Sequence, residues 1–599
     1  MPFVTAATIA KAYDVIVVGS GAAGGQSAYT LTMDGAKVLM LEAGRNYVPA
    51  DETPMFQTPD QAPLRGGGTP DKPFGFYDAT VDGGWTVPGE PYVQGSDDPA
   101  QRFAWWRARM LGGRTNHWGR ISLRNGPYDF KPHRRDGLGF DWPISYEDVA
   151  PYYDKVERLV GVYGTSEGME NTPDSPPGCL LPPPAPLVGE LMIAQRAQHI
   201  GVPVIASHRA VLTQTLDYKR SPALLHPGNL KAQKIIADDM RKRAACLFAT
   251  PCGRGCSIRA NYQSTTVHLP PALATGNLDI VTDAMVTRVD MAVNGKAKGV
   301  TFIDRTTGTE YRADARVVVL AASACETVRI LLNSKNAQHP QGLANSSGKV
   351  GRYLMDTVGS SLTGQIPLLE GLPPLNEDSA DGDSVYSPWW LYKEQKAGKL
   401  GFARGYHIEI GAGRRMPGAS FMRGAEWLTG GSYGKRFKQD VRRYYGSFVD
   451  FDGRGEMIPN DRSYCEIDAQ AKDKWGIPVL RFHWQWSDHE IGQAAHMQKT
   501  FAAIVEAMGG RVQGQVKGGA EAIATGGSII HEVGGCIMGE NPQNSVTDRW
   551  HRTWDVKNLF VADGAVFASN ADKNPTLTIM ALAWRSADHI LGAMHRKEL

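Results

Sequence analysis

Tyr13-Asp14-Val15-Ile16-Val17-Val18-Gly19-Ser20-Gly21-Ala22-Ala23-Gly24 is an apolar, β-branched run leading straight into G-x-G-x-x-G. A small-residue stretch follows, then a second apolar run ending in an acid, Val38-Leu39-Met40-Leu41-Glu42. This order predicts a strand, a helix and a second strand: the βαβ unit that holds a dinucleotide. Gly19 permits the tight turn, Gly21 lets the backbone approach a pyrophosphate, and Gly24 lets the helix pack close to the sheet. The helix N-terminus offers free N–H groups and a positive dipole end to the phosphates, and Gly35 is a helix stop. Glu42 lies about 20 residues past the glycines, where a carboxylate accepts both ribose hydroxyls. The same acid would repel the extra phosphate of NADP. A lone G-x-G-x-x-G is weak; strand, helix, second strand and acid in order are strong.

The rest of the chain sets limits. Its 599 residues are too many for one core, so two or more packed domains are expected. Lys and Arg number 64 against 62 Asp and Glu, a balance that argues against nucleic acid as a partner. No apolar run approaches the roughly 18–20 residues of a membrane span, so no transmembrane segment is expected. Residues 1–12 read as lacking an export signal. Seven cysteines in a chain this long are no disulfide scaffold.

Along the chain, residues 50–100, rich in Pro, Gly and Asp, read as a surface excursion or cofactor lid. Ser145 caps a helix, with Asp148 three residues on and Tyr152, Val156 and Leu159 along one face. The proline-dense stretch 171–187 marks a surface connection. Residues 277–320 read as a small β-meander in which Leu278–Val281 and Met285–Val289 pair, with Ala315–Leu320 a buried strand entering a helix at 322–324. Residues 360–525 mix short strands, aromatics and glycines and read as a separate sheet-based domain. An apolar strand over 558–564 and an amphipathic helix from Thr576 to Ile590 close the chain.

Near the C-terminus stand His531-Glu532-Val533-Gly534-Gly535-Cys536-Ile537-Met538-Gly539 and Asn574-Pro575-Thr576. Asn574 precedes proline and should be extended; Pro575 suits a first helical turn. His531 is the candidate general base, since its ordinary pKa suits proton removal near neutrality. The competing reading is a hydrogen-bonded core histidine.

These pieces together resemble the glucose–methanol–choline (GMC) oxidoreductases over essentially the whole chain. The resemblance rests on the N-terminal fingerprint with Glu42, Gly112-Gly113-Arg114-Thr115-Asn116, Val319-Leu320-Ala321-Ala322-Ser323, Val350-Gly351-Arg352, the His531–Gly539 run, Leu559-Phe560-Val561-Ala562-Asp563 and Asn574-Pro575-Thr576. It implies an α/β, two-domain fold: a Rossmann-like FAD-binding domain with a parallel sheet, and a sheet-based substrate domain. The expected division is 1–359 mainly FAD-binding, 360–525 mainly substrate-binding, and 526–599 returning to the FAD domain. It implies FAD as cofactor and hydride transfer from an alcohol carbon to flavin N5. His531 is then the base and Asn574 its partner. Gly19, Gly21, Gly24, Glu42, Gly113, Asn116, His117, Val286, Asp563 and Thr576 are the expected FAD contacts, with Asp563 at the pyrophosphate–ribityl region and Val286 meeting the adenine by its backbone. The helix end at Thr576, beneath the flavin pyrimidine, would favour the anionic reduced form. Gly535 stands where relatives often have threonine.

Asp141-Trp142-Pro143-Ile144-Ser145-Tyr146-Glu147-Asp148 with Pro151-Tyr152-Tyr153 resembles a bacterial branch, the flavoprotein subunits of gluconate-2-dehydrogenase-like and glucoside-3-dehydrogenase-like complexes. Asn116-His117-Trp118 is also similar to pyranose oxidases, whose matching histidine can be joined covalently to FAD; here His117 is read as lining the flavin edge. Cys246, Cys252 and Cys256 fall in one glycine-containing loop, and close thiolates hold soft metals or Fe–S clusters. Three ligands suit a 3Fe–4S cluster, which some dehydrogenases of this branch carry; a zinc site would need a fourth ligand, for which His268 is available. The remaining cysteines, and by default Trp389, Trp390, Tyr392, Trp484 and Trp486, read as core, with one or two of these aromatics open to stacking on a sugar.

The expected function is FAD-dependent oxidation of a sugar or glycoside ring hydroxyl, at C3, to a ketone. Electrons leave through the Fe–S cluster to a cytochrome c or quinone. A small partner subunit carrying the export signal takes the chain to the periplasm; a cytoplasmic location is the alternative. The competing readings are a pyranose or glycoside oxidase using oxygen, a gluconate or polyol dehydrogenase, and a non-catalytic FAD-binding subunit.

Overall fold

The computed structural model describes residues 3–10, 12–53, 82–248, 252–372, 384–412 and 428–599. The opening unit is as expected: β1 (Tyr13–Val18), α1 (Ala22–Met33) and β2 (Val38–Leu41), with β1 and β2 parallel. Alternate residues of these strands enter two different layers. Val15, Val17, Val38 and Met40 pack with α1 on one side, and Ile16, Val18, Leu39 and Leu41 pack on the other. A parallel strand covered on both faces reads as an unbroken apolar run, as these do.

α2 (Tyr146–Val160) begins where Ser145 caps it, the Ser145 N–H donating to Asp148 Oδ2 at 2.9 Å. The stretch 171–187 carries neither helix nor strand. Four strands follow: β3 (Leu278–Val281), β4 (Ala284–Met291), β5 (Ala297–Asp304) and β6 (Glu310–Leu320). Here the expected pairing is corrected. β3 does not pair with β4; it adds to β2 in parallel, at the edge of the main sheet, and β4 pairs with β5. The chain leaves β3 through Asp283, whose φ of +55° turns it off the sheet. The apolar run of β3 is that of a buried parallel strand, and Gly299 and its neighbours in β5 gave too weak a pattern to be seen.

β6 serves two sheets. Its first half pairs antiparallel with β5, and its second half pairs parallel with β1. α3 (Ala324–Asn333) starts directly after it. The second layer is a six-stranded antiparallel sheet built on β7 (Val358–Gln365), β8 (Tyr406–Ala412) and β9 (Phe448–Gly455), with β9 between the other two. Val385–Ser387 extends it, and Ile205–Ala206, from far earlier in the chain, forms the edge. α4 (Asp488–Ala507) covers this sheet. The chain then returns: β10 (Leu559–Val561) adds to β6 in parallel, and α5 (Thr576–His595) packs on α1 and α2. α5 runs five residues past the expected end at Ile590.

Trp389, Trp484, Trp486 and Tyr392 are buried. Trp389 packs on Tyr406 and Phe402, and Trp484 on Trp486, so packing occupies these rings. Of the expected lid over 50–100, residues 54–81 lie outside the described residues.

Candidate active site

The turn between β1 and α1 meets a second turn, Gly113–Asn116, over the helix N-terminus. Ser20 ties them together. Its hydroxyl donates to Glu42 Oε2 at 2.5 Å and accepts the Gly112 N–H at 2.8 Å. Glu42 also accepts from the N–H groups of Ser20 and Gly44, at 3.1 and 2.7 Å, and burial raises its pKa. The two fingerprint glycines differ. A Cβ on Gly24 would lie 2.0 Å from Gly19 O, whereas one on Gly21 would meet nothing within 4 Å. Packing within the chain therefore demands Gly24 but not Gly21, and the space before the helix end is left to a ligand. Gly24→Ala is expected to lower folding stability. Gly21→Ala should keep the melting temperature of the cofactor-free protein and weaken FAD binding about tenfold or more, the cost of one overpacked methyl group. Equal effects in thermal melts and FAD titrations would contradict this division.

Asp563 accepts from Thr327 Oγ1 at 2.5 Å, Ser323 N at 3.1 Å and Ala565 N at 3.0 Å, and burial pushes it up to about 6. Val286 is buried on β4 opposite Phe302. Asn116 Nδ2 donates to Leu111 O at 2.9 Å. His117 follows; its ring lies 4.3 Å from that of Trp106, and its Nδ1 is buried without a partner. Burial, then Arg120 and Arg114, push it down to about 3.

Arg114 joins this turn to the C-terminal run, donating to Ile530 O, Glu532 and Ser323 Oγ. His531 stands there with its N–H on Asp356 Oδ1 at 2.9 Å and its Nδ1 3.1 Å from Thr357 Oγ1. That leaves Nε2 to face a substrate. Asn574 donates from Nδ2 to Glu409 Oε1 at 3.1 Å. Glu409 also bonds His407 at 3.4 Å and Arg454 at 3.1 Å, and Arg454 foremost among these partners holds its carboxyl well below the usual range despite burial. Burial most of all, then Arg454, pushes His531 down to about 3, opposed by Glu409. His531, Asn574, Glu409, His407 and Arg454 thus form one constellation between the C-terminal segment and the antiparallel sheet, with His407 and Asn574 buried and the other three half-buried. Lys573, beside Asn574, is fixed by Asp129 and Asp572, at 3.1 and 2.5 Å.

The GMC oxidoreductase family matches the chain over residues 220–362 and 459–583. A 2-methyl-1,2-propanediol dehydrogenase of Mycolicibacterium austroafricanum is 30% identical, over 97% of this chain and 96% of that protein. The chain belongs to the GMC oxidoreductase family. Fructose dehydrogenase large subunit of Gluconobacter japonicus is 27% identical, over 96% of this chain and 97% of its own length. The crystal structure of pyridoxine 4-oxidase from Mesorbium loti superposes with a TM-score of 0.57 at 14% identity, covering 96% and 99% of the two chains, which supports the two-domain fold.

GMC oxidoreductases bind FAD, and the cradle described fits it: a phosphate-facing helix end with a glycine that no neighbour requires, and a buried acid on the second strand. Gly535 has a φ of +92°, and an added Cβ would sit 2.7 Å from Val328 Cγ2. The chain accommodates its own turn there, and threonine would not fit it.

Several residues of the GMC site escaped the sequence reading: Thr357, Asp356, His407, Glu409 and Arg454. A signal existed for two. In Tyr406-His407-Ile408-Glu409-Ile410, His and Glu recur with a period of two and share a strand face, polar residues among apolar ones. Arg454 is visible only through register, lying opposite His407 on β9.

Of the three loop cysteines, Cys246 packs against the small cluster that Cys252 forms with Tyr163 and Val211. Cys246 is pushed up to about 12 by burial and by the neighbouring Cys252 and Cys256. The Phe248 N–H donates to Cys246 Sγ and the Ala260 N–H to Cys256 Sγ, both at 3.3 Å. Among the described residues, the three-ligand groups within 4.8 Å are Asp154–Glu157–Cys179 and Asp129–Glu456–Asp572, so the loop thiols are not drawn around a single ion. His268 instead bonds Tyr262 at 3.2 Å and packs on Tyr29. The loop adjoins the flavin-side turn: Gln263 Oε1 accepts the Cys256 N–H, and Gln263 Nε2 donates to Asn116 O at 3.3 Å. No described helix is long and apolar enough to cross a membrane.

Proposed function

We propose that this GMC oxidoreductase is an FAD-dependent dehydrogenase that oxidises a ring hydroxyl of a sugar or glycoside, at C3, to a ketone. The observation that carries the reading is the meeting of His531 and Asn574 around Glu409, beside the turn holding Asn116 and His117. Bound FAD supplies the hydride acceptor. Gly19, Gly21, Gly24, Glu42, Gly113, Asn116, His117, Val286, Asp563 and Thr576 are the residues proposed to hold it.

His531 accepts the hydroxyl proton at Nε2. Thr357 and Asp356 fix the ring and its backbone, so the acceptor nitrogen is aimed before substrate arrives. The imidazolium formed is balanced by Glu409, while the Asn574 amide donates to the substrate oxygen. The fructose dehydrogenase large subunit supports a sugar as substrate and a multi-subunit setting, and resemblance to the glucoside-3-dehydrogenase branch supports C3. A screen of sugars, glycosides and simple alcohols against an artificial acceptor and against oxygen, with products identified, tests this reading. Oxidation of simple alcohols alone would defeat it; oxygen as the better acceptor would favour the oxidase.

Burial fixes the pH dependence. A histidine pushed down to about 3 stays neutral, and so able to accept a proton, as pH falls through the ordinary histidine value. The rate of flavin reduction should therefore not decline through that range on account of His531. Asp356, pushed up to about 7 by burial and Glu532, is the neighbour that titrates near neutrality. An inflection there is expected to vanish in Asp356→Asn. One persisting in that variant near the unperturbed histidine value would contradict the assignment.

Cys246, Cys252 and Cys256 are proposed to hold a 3Fe–4S cluster, supported by three thiols in one loop, two of them accepting backbone N–H groups. Such a cluster supplies a one-electron exit towards a cytochrome c or quinone. A small partner subunit, export alongside it and a periplasmic location complete the proposal. Finding the native enzyme confined to the cytoplasm would remove that part.

A further inference from the structure

Asn574 presents an acceptor that no described residue satisfies. Its Nδ2 donates to Glu409 Oε1 at 3.1 Å, while its Oδ1, in a residue only 7% exposed, has no hydrogen-bond partner. The two ends of an amide are ordinarily assigned from their surroundings, and here the surroundings decide. Glu409 is held ionised by Arg454 and His407, and an ionised carboxylate only accepts. The nitrogen must face Glu409, so the oxygen must face away from it.

We propose that Glu409 locks the Asn574 amide so that Oδ1 takes a hydrogen bond from the substrate, which makes the site selective for alcohols bearing a second hydroxyl on the carbon next to the one oxidised. This rests on the roles proposed for His531 and Asn574. The proton of the reacting hydroxyl goes to His531 Nε2, so that hydroxyl has none left for Asn574 Oδ1. The second N–H of the amide reaches the reacting oxygen. A neighbouring hydroxyl then supplies the missing donor, and one amide reads both oxygens of a vicinal diol. Sugars carry this pattern throughout. An alcohol without it leaves a buried acceptor unpaired, a penalty worth about 10- to 100-fold in specificity.

The test uses the holoenzyme, an artificial acceptor, and three probes: trans-1,2-cyclohexanediol, trans-1,4-cyclohexanediol and cyclohexanol. The 1,2-diol should exceed the other two in kcat/KM by about 10- to 100-fold. In Glu409→Gln the partner can offer nitrogen or oxygen, so the Asn574 amide is free to turn, and the ratio should fall towards one whatever happens to the absolute rates. General structural damage would lower all three probes together and keep the ratio. Equal values for the two diols in the wild type, or an unchanged ratio in Glu409→Gln, would overturn the proposal. Calorimetric binding of the same probes to His531→Ala holoenzyme separates the two readings. A preserved preference with no turnover of any probe by the wild type indicts the proposed reaction, and equal binding of the two diols indicts the lock.

Discussion

Flavin reduction in His531→Ala is expected to be roughly 100-fold slower than in the wild type or more, with FAD still bound, the scale of losing a positioned general base. The expectation follows from how little else in the constellation can take a proton. Glu409 is committed to Asn574, His407 and Arg454 and is held well below the usual carboxylate range. His407 sets its Nδ1 against the Asp572 carbonyl and its Nε2 against Glu409. Within this constellation His531 keeps a ring nitrogen with no partner among the described residues. FAD retention is expected because the cradle at Gly19–Gly24 and Glu42 lies on other elements. Stopped-flow reduction under anaerobic conditions measures the effect. A wild-type rate in the variant would place the base elsewhere.

The second large effect concerns Cys252→Ser. The variant should lose most of its iron and its transfer to a cytochrome, while sugar-driven flavin reduction stays largely intact. Two electrons arrive together from the substrate and a cytochrome takes one, and the proposed cluster would carry them out singly. The path is short in chemical terms: Arg120 donates to Cys252 O at 2.5 Å and to Asn116 O at 2.9 Å, and Gln263 spans Cys256 and Asn116. Small acceptors that reach the flavin directly should be less affected. Iron analysis with electron paramagnetic resonance checks this. Protein prepared anaerobically without iron, or with zinc on these thiols, would contradict it and favour the oxidase.

The first half of the fold was legible because its signals are local. Val15, Val17 and their neighbours declare a two-sided strand, and Gly24 is demanded by an oxygen five residues away. Ser145 and Asp148 likewise carry their own cap. Register was not legible. β3 joins β2 across more than 200 residues, and nothing within Leu278–Val281 says whether its neighbour is β2 or β4. The same limit hid part of the site. His531 and Asn574 stand in recognisable motifs, whereas Arg454 earns its place only by lying opposite His407 on an adjacent strand. Burial reversed one argument as well. His531 was singled out for an ordinary pKa suited to neutrality, yet in the fold it is pushed down to about 3, so it serves by staying unprotonated and aimed.

This chain is proposed to use bound FAD to oxidise a sugar ring hydroxyl. Anaerobic mixing of the purified yellow protein with a panel of glycosides, following flavin absorbance and identifying the product, tests it most directly. The account predicts bleaching of the flavin and a 3-keto sugar formed in about equal amount to the FAD, as hydride transfer requires. Flavin left oxidised by every sugar and glycoside, or protein carrying NAD in place of flavin, would contradict it.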